Sequence, residues 1–167
     1  KMALHMLKIG DSAMDGDKVS VATDAYEEAY GILQNDDPSG ENTRLARRGC
    51  VKGHKMLALA TETMRDYGSA IQHRNRVYQI FDERGMCPQA CQQLLRIAYL
   101  HGEKDDYAKS AVVLSDAIRR LFKGVKSLDL MPADRMDLLI QCYHMRSICY
   151  AKTQKWNEAL KQYDELL

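Results

Sequence analysis

Cys87 and Cys91, four residues apart, come closest in this chain to a reactive constellation. With His101, Cys142 and His144 downstream, they offer the thiolate and imidazole ligands that zinc prefers. The pair is spaced C-x3-C rather than the common C-x2-C, and no second paired element answers it, so no metal is expected. The five cysteines (Cys50, Cys87, Cys91, Cys142 and Cys149) form an odd set without a compact framework, as reduced thiols in a cytosolic setting do. Buried cysteine also packs as a small hydrophobe. The histidines His5, His54, His73, His101 and His144 are scattered. No phosphate-cradling glycine loop, H-E-x-x-H or G-x-S-x-G occurs, and no paired carboxylates stand in an apolar setting. Catalysis and cofactor binding are therefore not expected of this chain.

Charge is the second source of chemistry. The 24 Lys and Arg nearly balance the 23 Asp and Glu, yet the distribution is uneven. Between Asp11 and Glu41, nine acids face only Lys18, a net −8; between Asn42 and Arg76, eight bases face Glu62 and Asp66, a net +6. Arg44, Arg47, Arg48, Lys52 and Lys55 follow one another at helical steps, which makes a basic ridge. Such a ridge can meet an acidic partner, be solvated, or neutralise the acidic segment inside the fold. It could also track phosphates, but the adjacent −8 segment repels a nucleic-acid backbone and no aromatics interleave with the ridge.

Positioning these side chains falls to helices. The chain has 167 residues, 46% of them apolar and 28% charged, with three prolines and few Val, Ile or Phe; that is a globular helical composition. No apolar run reaches the ~20 residues of a membrane span, so no membrane insertion is expected. Apolar residues recur at steps of three and four, as in Ala111, Leu114, Ile118, Leu121, Phe122 and Val125, or Met136, Leu139, Ile140, Tyr143, Ser147 and Tyr150. Breaks fall at Asp15-Gly16-Asp17, at 35–40, at Gly85, at His101-Gly102 and at 124–132, where glycine can take positive φ and Pro88 or Pro132 can open a helix. The spacing predicts eight helices over 2–14, 18–35, 41–65, 68–84, 88–101, 105–124, 133–152 and 156–167, taken as one domain of four pairs (1–37, 41–85, 88–126, 133–167).

The pairs echo one another. Small residues Ala22, Ala70, Ser110 and Ala159 open the second helices, and Gly10, Ala58, Ala98 and Ser147 stand twelve residues earlier on the first ones. Two helices approach closely only where such residues meet. With Tyr143, Tyr150, Trp156 and Tyr163 around the last copy, this pattern resembles the tetratricopeptide repeat (TPR). The anchors are 48, 40 and 49 apart, longer than the usual period of about 34. Arg74 stands where that family prefers an aromatic, and Arg146 where it prefers Leu.

The resemblance implies an all-α, right-handed superhelix of four antiparallel pairs, with a closed bundle as the rival architecture. It further implies that the first helix of each pair lines a concave groove. Lys52, Lys55, Leu59, Arg96, Tyr99, Gln141, His144 and Ile148 would then face a protein or peptide partner, acidic with apolar anchors. The lysine and asparagine clamp of chaperone-cofactor TPRs is missing, because Asp11, Leu59, Tyr99 and Ile148 occupy the asparagine places. The expected role is a non-enzymatic cytoplasmic interaction scaffold or adaptor; the alternatives are a structural subunit stacking in a large assembly and, more weakly, RNA binding. Lys1 at the start and Leu166-Leu167 inside an amphipathic pattern lead to the expectation of a segment of a longer protein.

Overall fold

The structure is a computed structural model that describes residues 1–125 and 128–165, apart from the side chains of Asp129 and Tyr163. The expected repeat position Tyr163 and the ending Leu166-Leu167 therefore lie outside the described residues. Among these residues are eight α-helices: α1 Met2–Asp15, α2 Val19–Asp36, α3 Glu41–Thr63, α4 Tyr67–Glu83, α5 Cys87–Glu103, α6 Tyr107–Leu121, α7 Ala133–Lys152 and α8 Trp156–Asp164. A short 3-10 turn, Leu128–Leu130, precedes α7. The chain divides into two compact units, Lys1–Ile80 and Phe81–Leu167.

Helix ends are set by one recurring turn. The residues at positive φ between paired helices are Asp17 (55°), Arg65 (60°), Asp105 (57°) and Gln154 (60°), each five positions before a small anchor. The next residue's N–H then reaches back five residues to a carbonyl: Lys18 to Ala13, Asp66 to Thr61, Asp106 to His101 and Lys155 to Tyr150, at 2.8, 2.8, 2.9 and 2.8 Å. This is a Schellman closure, which satisfies carbonyls the helix leaves orphaned. It corrects the glycine reading at two places. Gly16 has φ −91° and Asp17 takes the left-handed conformation instead, while α5 runs past Gly102 to Glu103. Gly85, at φ 64°, behaves as its type predicts.

In Lys1–Ile80, α1 packs on α2, α2 on α3, and α1 also touches α3. Their joint is the Tyr26 ring. A methyl group added at Gly10 of α1 would lie 2.7 Å from that ring, and one at Gly49 of α3 would overlap it. Both glycines thus exist for close approach, and the Tyr26 hydroxyl donates to Asp11 Oδ1 at 2.7 Å. Ala22, Ala29, Ala46, Cys50 and Ile80 complete this core. In Phe81–Leu167, α5 packs on α6, α6 on α7, α7 on α8, and α5 also on α7. There the joint is Ser110 of α6: its hydroxyl donates to the Ala98 carbonyl of α5 at 2.8 Å and accepts from Cys149 Sγ of α7 at 3.2 Å. All eight small anchors are buried.

The two departures from the repeat pattern are held by polar partners. Arg74 Nε donates to Glu62 Oε1 at 3.0 Å in a pair largely withdrawn from water. Arg146 donates to Gln162 Oε1 (2.6 Å) and Ser115 Oγ (3.0 Å), and its guanidinium lies 5.0 Å from the Tyr143 ring centre. A planar donor with a long apolar stem fills the groove an aromatic or leucine would fill.

Two substitutions test the packing. Gly49→Ala should destabilise the protein by about 1–3 kcal/mol through overpacking against Tyr26. Gly31→Ala, in open space on α2, should stabilise it by about 0.5–1 kcal/mol from helix propensity. Urea denaturation of both variants reads the opposite signs.

Candidate interaction surface

The basic ridge lies on α3 because the other side of that helix is made of small residues. Thr43, Ala46, Cys50, Gly53 and Ala58 are buried, and a methyl group at Gly53 would overlap Thr23 of α2. α3 therefore lies close on α2 along this stripe, and Arg44, Arg48, Lys52, Lys55 and Leu59 share the exposed face. Arg44 pairs with Glu41 at 2.9 Å, whereas Arg47, Arg48 and Lys52 make no ion pair among the described residues. Leu59, 60% exposed, and the exposed Leu45 and Met56 add apolar area to the helix. Arg47, Arg48 and Lys52 are thus not consumed in neutralising the acidic segment, whose Glu41 pairs with Arg44 and whose Glu27 pairs with Arg76, outside the ridge.

Arg76 grips Glu27 of α2 with two hydrogen bonds, at 2.8 and 2.6 Å. Glu27 Oε1 also faces His54 Nε2 of α3 at 3.0 Å, and His54 Nδ1 faces His73 Nδ1 of α4 at 3.0 Å. The chain Arg76–Glu27–His54–His73 ties α2, α3 and α4 together and fixes the rotation of α3 about its axis. Burial opposes ionisation of Glu27, but the hydrogen bonds of His54 and Arg76 outweigh it and hold the carboxyl at about 2. A carboxylate only accepts, so His54 carries its proton on Nε2, and one proton is shared between the two Nδ1 atoms. Burial, and then the proximity of His54, lower the pKa of His73. Sequence spacing gave no hint of this set, because nothing within nineteen residues of chain links His54 to His73.

The remaining predicted residues lie in Phe81–Leu167. On α5, Arg96 is half-buried and its guanidinium stands 4.6 Å from the centre of the exposed Tyr99 ring. On α7, Gln141, His144 and Ile148 share an exposed face. Ile140 is also exposed there (46%), although the periodicity groups it with the core stripe. The structure places Lys52, Lys55 and Leu59 on one helix face, brings Arg96 and Tyr99 into contact, and puts the α7 trio on a second face. Sequence reasoning missed the apolar end of this unit. Trp156 (61% exposed) and Leu160 (66%) of α8 join Ile148 and Ala151 around a depression of ≈ 290 Å³. Trp156 reads as a packing aromatic in the repeat pattern, so only burial could have shown it open.

Among the described residues no group of three or more His, Cys, Asp or Glu is arranged to hold a metal, and no helix is long and apolar enough to cross a membrane. His101 Nδ1 is buried without a hydrogen-bond partner, and its nearest acid is Asp106 at 3.9 Å.

Inside each unit helices pack on their chain neighbours, α1 on α2 and α2 on α3, then α5 on α6, α6 on α7 and α7 on α8, and a first helix also packs on the following first helix, as in an all-α TPR-like repeat fold. One solved structure supports this fold. The chain is similar over 98% of its length to aspartyl phosphate phosphatase F from Bacillus subtilis, at 16% identity and a TM-score of 0.61; it spans 38% of that chain. It also aligns over 97% of its length with kinesin light chain TPR-like repeats from Podosopora anserina, at 10% identity, 92% of that chain and a TM-score of 0.35. No family model and no curated protein matches the sequence.

The Glu27 network predicts an acid response. The lowered pKa of His73 means that the folded state favours its neutral form. Stability is complete above the ordinary value of 6.5 and falls as pH drops below it. Glu27 adds a second loss below its ordinary 4.5, complete as pH passes about 2. Thermal unfolding from pH 7.5 to 5 should show a falling melting temperature that His73→Gln flattens.

Proposed function

We propose that the chain is a non-catalytic protein-interaction module whose exposed first-helix faces take a partner segment that is acidic and carries apolar anchors. The observation that carries this reading is the α3 face: Arg48 and Lys52, without an ion pair among the described residues, share it with the exposed Leu59, while Arg74 and Arg76 of α4 are joined to Glu62 and Glu27. Lysine and arginine there speed encounter and set register, while Leu59 supplies area to desolvate. Arg96, Tyr99, Gln141, His144 and Ile148 offer a comparable mixture in Phe81–Leu167. The phosphatase named for the Bacillus subtilis neighbour is not carried over, because 16% identity over 38% of that protein supports fold alone.

A second reading, a structural subunit in a larger assembly, is favoured by the open apolar face of Ile148, Trp156 and Leu160, which is of the kind another helix covers. RNA binding has the ridge alone in its support.

Binding of a fluorescent peptide that alternates Glu with Leu separates the readings. Charge reversal by Arg48→Glu with Lys52→Glu should weaken binding at least about tenfold, and Leu59→Ala by a smaller factor, with helicity unchanged. Binding that survives the double reversal would remove the α3 face from the proposal. Unchanged binding in the Trp156→Ser with Leu160→Ser variant would show that the apolar end serves something else.

A further inference from the structure

Phe81–Leu167 contains a cavity of ≈ 330 Å³ whose wall includes Cys87 and Cys91 together with Arg120, Lys123, Arg135 and Asp82. Cys87 is the first residue of α5 and Cys91 lies one turn on. Their sulfur atoms are 3.9 Å apart. Each thiol donates to a carbonyl of α6, Cys87 Sγ to Arg120 at 3.4 Å and Cys91 Sγ to Ala117 at 3.7 Å, which holds the two side chains on the same side of the turn. Their environments differ. Cys87 is half-exposed in the cavity wall, and Cys91 is fully buried behind it. The cysteines Cys50, Cys142 and Cys149 are buried as well, so Cys87 is the one a dissolved reagent can reach.

We propose that Cys87 and Cys91 are a dithiol that hydroperoxides oxidise to an intramolecular disulfide, with Cys87 as the attacking thiol and Cys91 as the resolving one. Cys87, as thiolate, attacks one peroxide oxygen. The O–O bond breaks, Cys87 becomes a sulfenic acid, and the second oxygen leaves as hydroxide, or as alkoxide from an organic hydroperoxide, and is protonated to water or alcohol beside the cationic wall. Cys91 sulfur then attacks the Cys87 sulfur; the S–O bond breaks, a second water leaves with the Cys91 proton, and the disulfide forms. Two thiols lose two electrons to one hydroperoxide, which is reduced to water or to water and an alcohol.

The geometry permits the bond. Residues four apart on a helix have Cα atoms about 6 Å apart, inside the span a disulfide bridges. Closing the sulfur gap calls for a change in the first turn of α5 only, where Cys87 is the first helical residue. A bond made at the cost of a helical turn is readily reduced, which is the character of a reversible redox site rather than a structural staple.

The experiment treats the intact, pre-reduced protein with a small excess of hydrogen peroxide, with and without dimedone, and maps the peptides. The wild type should lose two hydrogens in the peptide that joins Cys87 to Cys91, give little dimedone adduct, and return to the thiol form with dithiothreitol. Cys91→Ser, or Cys91→Ala should serine not be tolerated, should trap the dimedone adduct on Cys87. Cys87→Ser should slow total thiol loss roughly tenfold, since the buried thiols lack access. The proposal is overturned if Cys87 and Cys91 stay reduced while other thiols oxidise, if the Cys91 variants give no adduct on Cys87, or if the disulfide found joins Cys91 to Cys142.

Discussion

The structure depends on how closely helix backbones approach where side chains are small. In each unit three helices meet at one residue. Tyr26 sits between Gly10 and Gly49, and Ser110 between the Ala98 carbonyl and Cys149. The two joints solve the same problem differently. Glycines leave room for a ring, whose area contributes hydrophobic stabilisation and whose hydroxyl finds Asp11. At Ser110 the backbones come near enough for a hydroxyl to reach the neighbouring carbonyl, so a buried polar group stays satisfied. Close approach along the Thr43, Ala46, Cys50, Gly53 stripe then turns the opposite face of α3 outward, which gives the basic ridge its exposure.

Polar networks do the rest of the positioning. Arg74 with Glu62, Arg76 with Glu27 and His54, and Arg146 with Gln162 and Ser115 each link helices within one unit. Buried charge is costly unless paired, so such sets contribute direction more than stability. Arg135 plays a related part in Phe81–Leu167. It donates to the carbonyls of Leu121 (3.5 Å) and Lys123 (3.2 Å) and so caps the end of α6. α6 stops at Leu121 rather than running on toward Gly124 as periodicity suggests; past it the backbone tightens into turns, Lys123 N–H donating to the Arg120 carbonyl and Val125 N–H to that of Phe122.

Helices and small anchors were legible because both are local signals: steps of three and four, and a residue type repeated at a fixed distance from each turn. The turn conformations were less so. Asp17, Arg65, Asp105 and Gln154 adopt positive φ at a cost of about 1 kcal/mol each; aspartate enters that region more readily than most types, but Arg65 and Gln154 do so against residue type, where the closure behind them and the packing ahead demand it. The ridge on α3 was legible as a face. That Arg47, Arg48 and Lys52 make no ion pair among the described residues was not, since Glu27 and Glu62 find Arg76 and Arg74 instead. Exposure at Ile140 and Trp156 was likewise hidden, because an apolar residue at helical spacing looks the same whether or not a neighbouring helix covers it.

The most direct measurement compares Ala98→Leu with Ala108→Leu in chemical denaturation. Ala98 is fully buried against Ser110, whereas Ala108 is exposed on α6. If close approach at small residues holds the helices together, leucine at 98 lowers stability by about 1–3 kcal/mol or more, and leucine at 108 changes it by no more than about 0.5 kcal/mol. Equal, small effects at both positions would contradict that claim, because the α5–α6 contact would then tolerate a side chain it has no room to hold.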